Sequence, residues 1–329
     1  MIDPNAAMTA AGEGAKAISK LEEILQKVFS PKWTKKQADA DAYADEKKLQ
    51  TIRDNPDMEI IYANGQMNAR LRTPEALAYR AEQRQLTDSI RQEDNIENIL
   101  NVAAKELTGI EKASDQSVDD DWIARFFSIA KDISTEDMQF VWGKILAGEI
   151  NHPSSFSLRT LETIKNLSRN EAKQFEIIMP FVCKRNRAVF ICADPVLLKN
   201  YGIEYSTIMQ LGECGLVNTS GTVQLNLFPD QETTNYIENG SQIMIIKTER
   251  GNEEQIGAYP LTTAGIELFG ILEHEPNSKF FYDLAVLVLN RIRDNSVSIQ
   301  IHDITEIVGE SINYSTEITS VLSKSGDAP

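Results

Sequence analysis

Histidine and cysteine are scarce in this chain, with three of each among 329 residues. Cys183, Cys192 and Cys214 form no CxxC arrangement, and His152, His274 and His302 have no HxxxH company, so a zinc centre has no local signature. An odd number of cysteines in apolar runs such as "FVCK" and "VFICA" reads as reduced packing residues. The glycine-rich phosphate cradles GxGxxG and GxxxxGK[ST] are missing, which leaves nucleotide binding without support. No GxSxG elbow marks a nucleophile. No run reaches the roughly 20 apolar residues that span a bilayer. The first residues also lack the basic-then-apolar order of a secretory signal. Together these absences predict a cytoplasmic protein with no cofactor. Positive charge is in short supply too: 33 Lys and Arg stand against 49 Asp and Glu, a net charge of −16. A field of that sign repels phosphate backbones and anionic lipid, so nucleic acid is a disfavoured partner.

What remains is enough to fold. At 42% hydrophobic, the chain can bury a core and is long enough for two or three domains. The pattern predicts a mainly α protein with a smaller α+β part: a helical N-terminal half followed by a winged-helix-like unit. Residues 1–14 are small and polar and read as a flexible start. Residues 15–110 read as a helical region. Ile18, Leu21, Ile24, Leu25, Val28 and Phe29 share one stripe ahead of Pro31. "TKKQADADAYADEKKLQTIRDN" is a charged helix with a thin apolar face. Thr73 is placed to cap a further helix with Pro74 at its first position. Leu86, Ile90, Ile96, Ile99, Leu100, Ala103 and Leu107 then run along it as a narrow stripe. Helices of this kind are marginal alone and need a cover, so the region is expected to make a homo-oligomer.

Residues 118–154 read as core helices. Asp119, Asp120 and Asp121 could attract a metal, but acids directly ahead of "WIARFFSIA" suit a helix cap and its dipole better. Ser134 with Asp137 is an acidic version of the capping box, with Ile133 stapled to Met138. Met138, Val141, Trp142, Ile145 and Leu146 then form a wide apolar face, and Gly148 is placed to end the helix in the left-handed conformation. In the loop "NHPSSFS", His152 beside two serines resembles a catalytic pair only superficially, because no orienting carboxylate or strained elbow accompanies it. The loop reads as a structural corner with His152 exposed. Beyond it Ser157 can cap a helix lined by Leu158, Leu161, Ile164 and Leu167, and Ser168 with Glu171 makes a second capping box.

The winged-helix-like α+β unit is expected over 155–272. It contains the strand "RAVFIC", the helix "YSTIMQLGECGLVN" ending near Gly215, strands "SQIMIIKT" and "QIGAYPLT" joined by the charged turn "ERGNEE", and the helix "TTAGIELFGIL". A helix–strand extension over 273–322 and a tail over 323–329 complete the chain. Lys184, Arg185 and Arg187 are the one dense basic cluster and the candidate contact for phosphate or a partner. The supposed wing is acidic, the wrong sign for following a DNA backbone.

At "DDDWIARFFSIAKDIS", "MQFVWGKILAGEI" and "SSFSLRTLETIKNLS" the chain resembles a bacterial family catalogued as domain of unknown function 2806. Trp122, Trp142, Gly148, Phe156 and Arg159 carry the resemblance as structural positions. It is clearest over the first half and looser beyond. The resemblance implies no catalytic residue and no cofactor. Families of this kind suggest a place in bacterial stress or phage defence, with no residue behind that suggestion. The function expected is that of a non-enzymatic interaction or regulatory protein. The alternatives are a nucleic-acid-binding regulator using the winged-helix-like unit, and an enzyme whose site is assembled across domains.

Overall fold

The computed structural model describes residues 4–28, 59–63, 66–70, 74–108, 110, 114–226, 235–247, 255–293, 296–308 and 311–324. The chain divides into two compact units, Met1–Leu158 and Arg159–Pro329.

In the first unit, helix α1 (Pro4–Val28) precedes a hairpin of β1 (Glu59–Ala63) and β2 (Gln66–Arg70), and then come α2 (Pro74–Thr108), α3 (Asp120–Ala130) and α4 (Glu136–Asn151). Ala17, Leu21 and Ile24 are the buried face of α1. Lys16 and Lys27 tie that helix to Asp115 and Asp120. Pro74 is the first residue of α2, while Thr73 and the charged stretch 34–55 lie outside the described residues. The hairpin escapes a helix-oriented reading, although Asn64-Gly65 between two short runs is a strong two-residue turn signal. The long stripe of α2 divides in two: Ile99, Ala103 and Leu107 are buried, whereas Leu86 and Ile90 are 56% and 63% exposed. Beside the buried half, α4 comes close enough that a Cβ on Gly143 would lie 2.5 Å from Val102 Cβ and 3.0 Å from the Ile99 carbonyl. Only glycine fits that approach.

Asp119 does cap α3, its Oδ1 accepting the Trp122 amide at 3.0 Å. The start of α4 is one residue later than the capping-box reading placed it. Thr135 is the N-cap, and Ser134 Oγ instead accepts from Arg91 and Asn95 of α2. Gly148 does not end α4. The helix continues to Asn151, and the left-handed residue is Ser154, with φ of 73°. The extra residues bury Glu149 and Ile150, which a stop at Gly148 would have left in the loop. Trp122 stacks on Phe126 at 5.1 Å, and Phe126 meets Trp142 at 5.3 Å, so three rings form the centre of this unit.

The second unit, from Arg159, holds the rest of α5 (Leu158–Lys165) and then α6 (Arg169–Ile178), which runs through a short 3-10 turn into β3 (Val182–Arg185) and β4 (Ala188–Cys192). The Ser168–Glu171 capping box is present in both directions. Next come α7 (Pro195–Asn200), α8 (Tyr205–Glu213), β5 (Val223–Asn226), β6 (Asn235–Asn239), β7 (Gln242–Lys247) and β8 (Gln255–Pro260). Helices α9 (Thr263–Phe269) and α10 (Ser278–Arg291) and strands β9 (Ser298–Val308), β10 (Ser311–Tyr314) and β11 (Ser320–Ser323) complete it. The strands form one antiparallel sheet in the order β10-β9-β7-β6-β3-β4-β8-β5, with β11 also on β9. The protein is therefore mixed α and β, with its large sheet in the C-terminal part.

The two strands expected to form one charged hairpin are β7 and β8, and they are not neighbours, since β6, β3 and β4 stand between them. The reason is visible in β7, where Gln242 to Ile246 are all buried. A strand covered on both faces belongs in the middle of a sheet, and β7 is flanked by β6 and β9.

Candidate interaction site

The basic cluster lies on the β3–β4 hairpin, whose turn holds Asn186 at φ 52°. Strand alternation sends Lys184 and Arg185 to opposite faces, and Arg187 lies in the turn. Lys184 is exposed, with Nζ 5.5 Å from the centre of the Phe269 ring, and it stands opposite Glu238 on the neighbouring strand β6. Burial pushes the Glu238 carboxyl above the usual range, and Lys184 works in the opposite direction. Arg185 is half-buried and donates to the Asn226 carbonyl and, at 3.1 Å, to Asn235 Oδ1. It thereby ties the end of β5 to the start of β6. Burial pulls its guanidinium below the ordinary arginine value. Arg187 is exposed.

The corner after α4 is made by a residue the sequence reading passed over. Glu149 is 1% exposed, and its carboxylate accepts the Ser154 amide at 2.7 Å and the Phe156 amide at 3.0 Å. Trp122 Nε1 donates to the Phe156 carbonyl at 2.8 Å, so both peptide groups of Phe156 are held. His152 is exposed, and Ser155 Oγ donates to its backbone carbonyl at 2.5 Å. Histidine and serine here are linked through the main chain and close a turn. Gly148 is half-buried, Trp142 is fully buried and Arg159 is exposed. The signal for Glu149 was its place in "ILAGEI", an acid inside an otherwise apolar helical turn.

Burial raises the thiols of Cys183 and Cys192, the latter to about 11. His302 is buried, its Nδ1 2.9 Å from the Ser315 carbonyl. Among the described residues no group of three His, Cys, Asp or Glu is placed to hold a metal ion, and no helix is long and apolar enough to cross a membrane.

A second exposed apolar surface lies at α7 and α8. Asp194 caps α7 by accepting the Val196 and Leu197 amides at 3.1 and 2.9 Å, and Gly202, at φ 74°, turns the chain into α8. Leu197, Leu198, Ile203, Ile208 and Leu211 are the buried side of the pair. Helix α10 clamps the pair: Tyr201 donates to Asp283 at 2.6 Å, and Arg291 pairs with Asp194 at 2.7 Å. Burial and the Asp283 contact both push the Tyr201 phenol upward. On the outside, Val196 is 70% and Tyr205 64% exposed, flanked by Glu204, Ser206, Gln210 and Glu213. Helix α8 has no lysine or arginine.

The model of the family described as "Protein of unknown function (DUF2806)" matches residues 79–285. The chain belongs to this family. No curated protein and no solved structure matches it. The DUF2806 match starts within α2 and ends within α10, so it takes in the aromatic centre of the first unit, the Glu149 corner, the basic hairpin and the α7–α8 pair.

Proposed function

We propose that this DUF2806 protein is a non-enzymatic interaction protein that self-associates through its N-terminal helices and offers a winged-helix-like surface to a protein partner. This winged-helix reading keeps β4, α8 and β8 from the sequence and takes β5 in place of β7 as the strand beside β8. In chain order α6, β4, α7, α8, β5 and β8 are helix, strand, helix, helix, strand and strand, and the three strands lie in the order β4-β8-β5. Strands β6 and β7 are inserted between β5 and β8, where a wing loop would run. Two short helices joined through a glycine turn are the layout that presents its second helix outward.

The observation that carries the choice of partner is the chemistry of α8. A helix that reads DNA supplies arginine or lysine to phosphates and guanines. Helix α8 and its N-cap supply Glu204, Gln210, Glu213 and an exposed Tyr205 instead. Exposed aromatic side chains on a rigid base are typical anchors of protein interfaces. A photo-crosslinker in place of Tyr205, used in cells, is expected to give protein adducts. Anisotropy titrations with duplex DNA are expected to show no binding at moderate salt. DNA binding that weakens steeply with salt and is lost in Arg187→Glu would overturn the reading.

A further inference from the structure

We infer that the N-terminal arm of α2, residues 77–94, pairs antiparallel with the same arm of a second copy of this chain. The proposal rests on the self-association reading above and names its surface and geometry.

Every residue from 79 to 91 is exposed, although α2 is continuous and its later turns are buried in the first unit. The arm is thus a helix without a core of its own, about 27 Å long at the usual rise. Its exposed apolar residues are not scattered. Tyr79, Leu86 and Ile90 are 63%, 56% and 63% exposed and, with Gln83, are spaced four, three and four residues apart. That spacing is the seam of a two-helix coiled coil.

Charge selects the occupant and its direction. Arg80 and Arg84 outnumber Glu82 in the first half of the arm, while Glu93 and Asp94 carry the charge of the second, where Asp88 and Arg91 offset one another. The one cation of the second half, Arg91, is turned to Asp88 and to Asp132 of its own unit. A parallel pair would set like charge beside like charge. An antiparallel pair sets the basic half against the acidic half and opposes the two helix dipoles. The seam is self-complementary in that direction. Tyr79 falls opposite the partner's Ile90, and Leu86 falls opposite the partner's Gln83, so one two-fold axis covers all four positions. Gln83 opposite the partner's Leu86 weakens packing there, while a slipped alignment that brought the two glutamines together would take Tyr79 and Ile90 off one another.

The test uses the full chain. Sedimentation at micromolar concentration is expected to give a dimer, and Leu86→Glu with Ile90→Glu to give a folded monomer whose melting temperature no longer depends on protein concentration, since both side chains are exposed in the single chain. Spin labels on Ser89→Cys and, separately, Asn98→Cys in a Cys214→Ser background then report direction. The antiparallel pair separates the two labels along the axis by about 13 Å for position 89 and about 40 Å for position 98, whereas a parallel pair gives one short distance for both. A dimer that survives the double substitution overturns this arm as the interface while leaving self-association standing. A wild-type monomer overturns both. Equal short distances overturn the antiparallel geometry.

Discussion

Replacing Glu149 tests whether the corner after α4 is held by a buried carboxylate. The side chain is 1% exposed and accepts two amides, those of Ser154 and Phe156. Glu149→Ala leaves both donors without that acceptor. The Phe156 amide is buried and costs about 1–3 kcal/mol when left unsatisfied, whereas the Ser154 amide, at an exposed residue, can turn to water, so the loss is about 1–3 kcal/mol. Glu149→Gln keeps one acceptor oxygen and turns an NH2 toward the other amide, so roughly half of that loss is expected. Because the first unit has about 150 residues, each kcal/mol lowers its melting temperature by about 2–4 °C. Thermal melts followed by circular dichroism should therefore place Ala lowest and Gln between Ala and the wild type. Limited proteolysis should cut the 152–157 loop fastest in the Ala variant. His152→Ala, at an exposed ring, is the control and should leave the melt unchanged. If Glu149→Ala melts within about 2 °C of the wild type, the carboxylate does not hold the corner and the reasoning fails.

Three further outcomes follow from the same geometry. Gly143→Ala should destabilise the first unit by about 1–3 kcal/mol through the clash with Val102 Cβ and the Ile99 carbonyl, despite the roughly 1 kcal/mol by which alanine favours a helix, and Val102→Ala in the same chain should recover little of it, because both of those atoms remain. Trp142→Ala should cost about 3–5 kcal/mol in urea unfolding, whereas Trp142→Phe should cost less than about 1.5 kcal/mol, because the buried indole N–H has no hydrogen-bond partner to lose. The folded state holds the Glu238 carboxyl above its unfolded value, so the stability tied to its protonated form is present below the usual glutamate range and is lost as pH rises through the raised value. Glu238→Gln should therefore gain on the wild type between acidic and neutral pH in paired urea melts, and an advantage that shrinks with rising pH would contradict the assignment.

Chain-local features were legible without coordinates, because the groups that make them lie within a turn of one another. The Ser168–Glu171 box and the Asp119 cap each join residues three apart, and the apolar face of α4 follows from its spacing alone. Even locally, a competing partner could shift the result: Ser134 is used by Arg91 and Asn95 of α2, and Thr135 becomes the cap of α4. The choice of strand neighbours was not legible. Strands β7 and β8 look like two sides of one hairpin in sequence, yet full burial of β7 demands a partner on each edge, and these come from β6 and the distant β9. Nor could periodicity divide the stripe of α2, since the same spacing serves Ile99 and Leu107 in a core and Leu86 and Ile90 in water. Glu149 and Arg185 show the same limit at the level of single side chains. Their sequence says that each is charged; only the fold decides that one closes a corner through two amides and the other bridges β5 and β6, because hydrogen-bond partners are set by where the rest of the chain arrives.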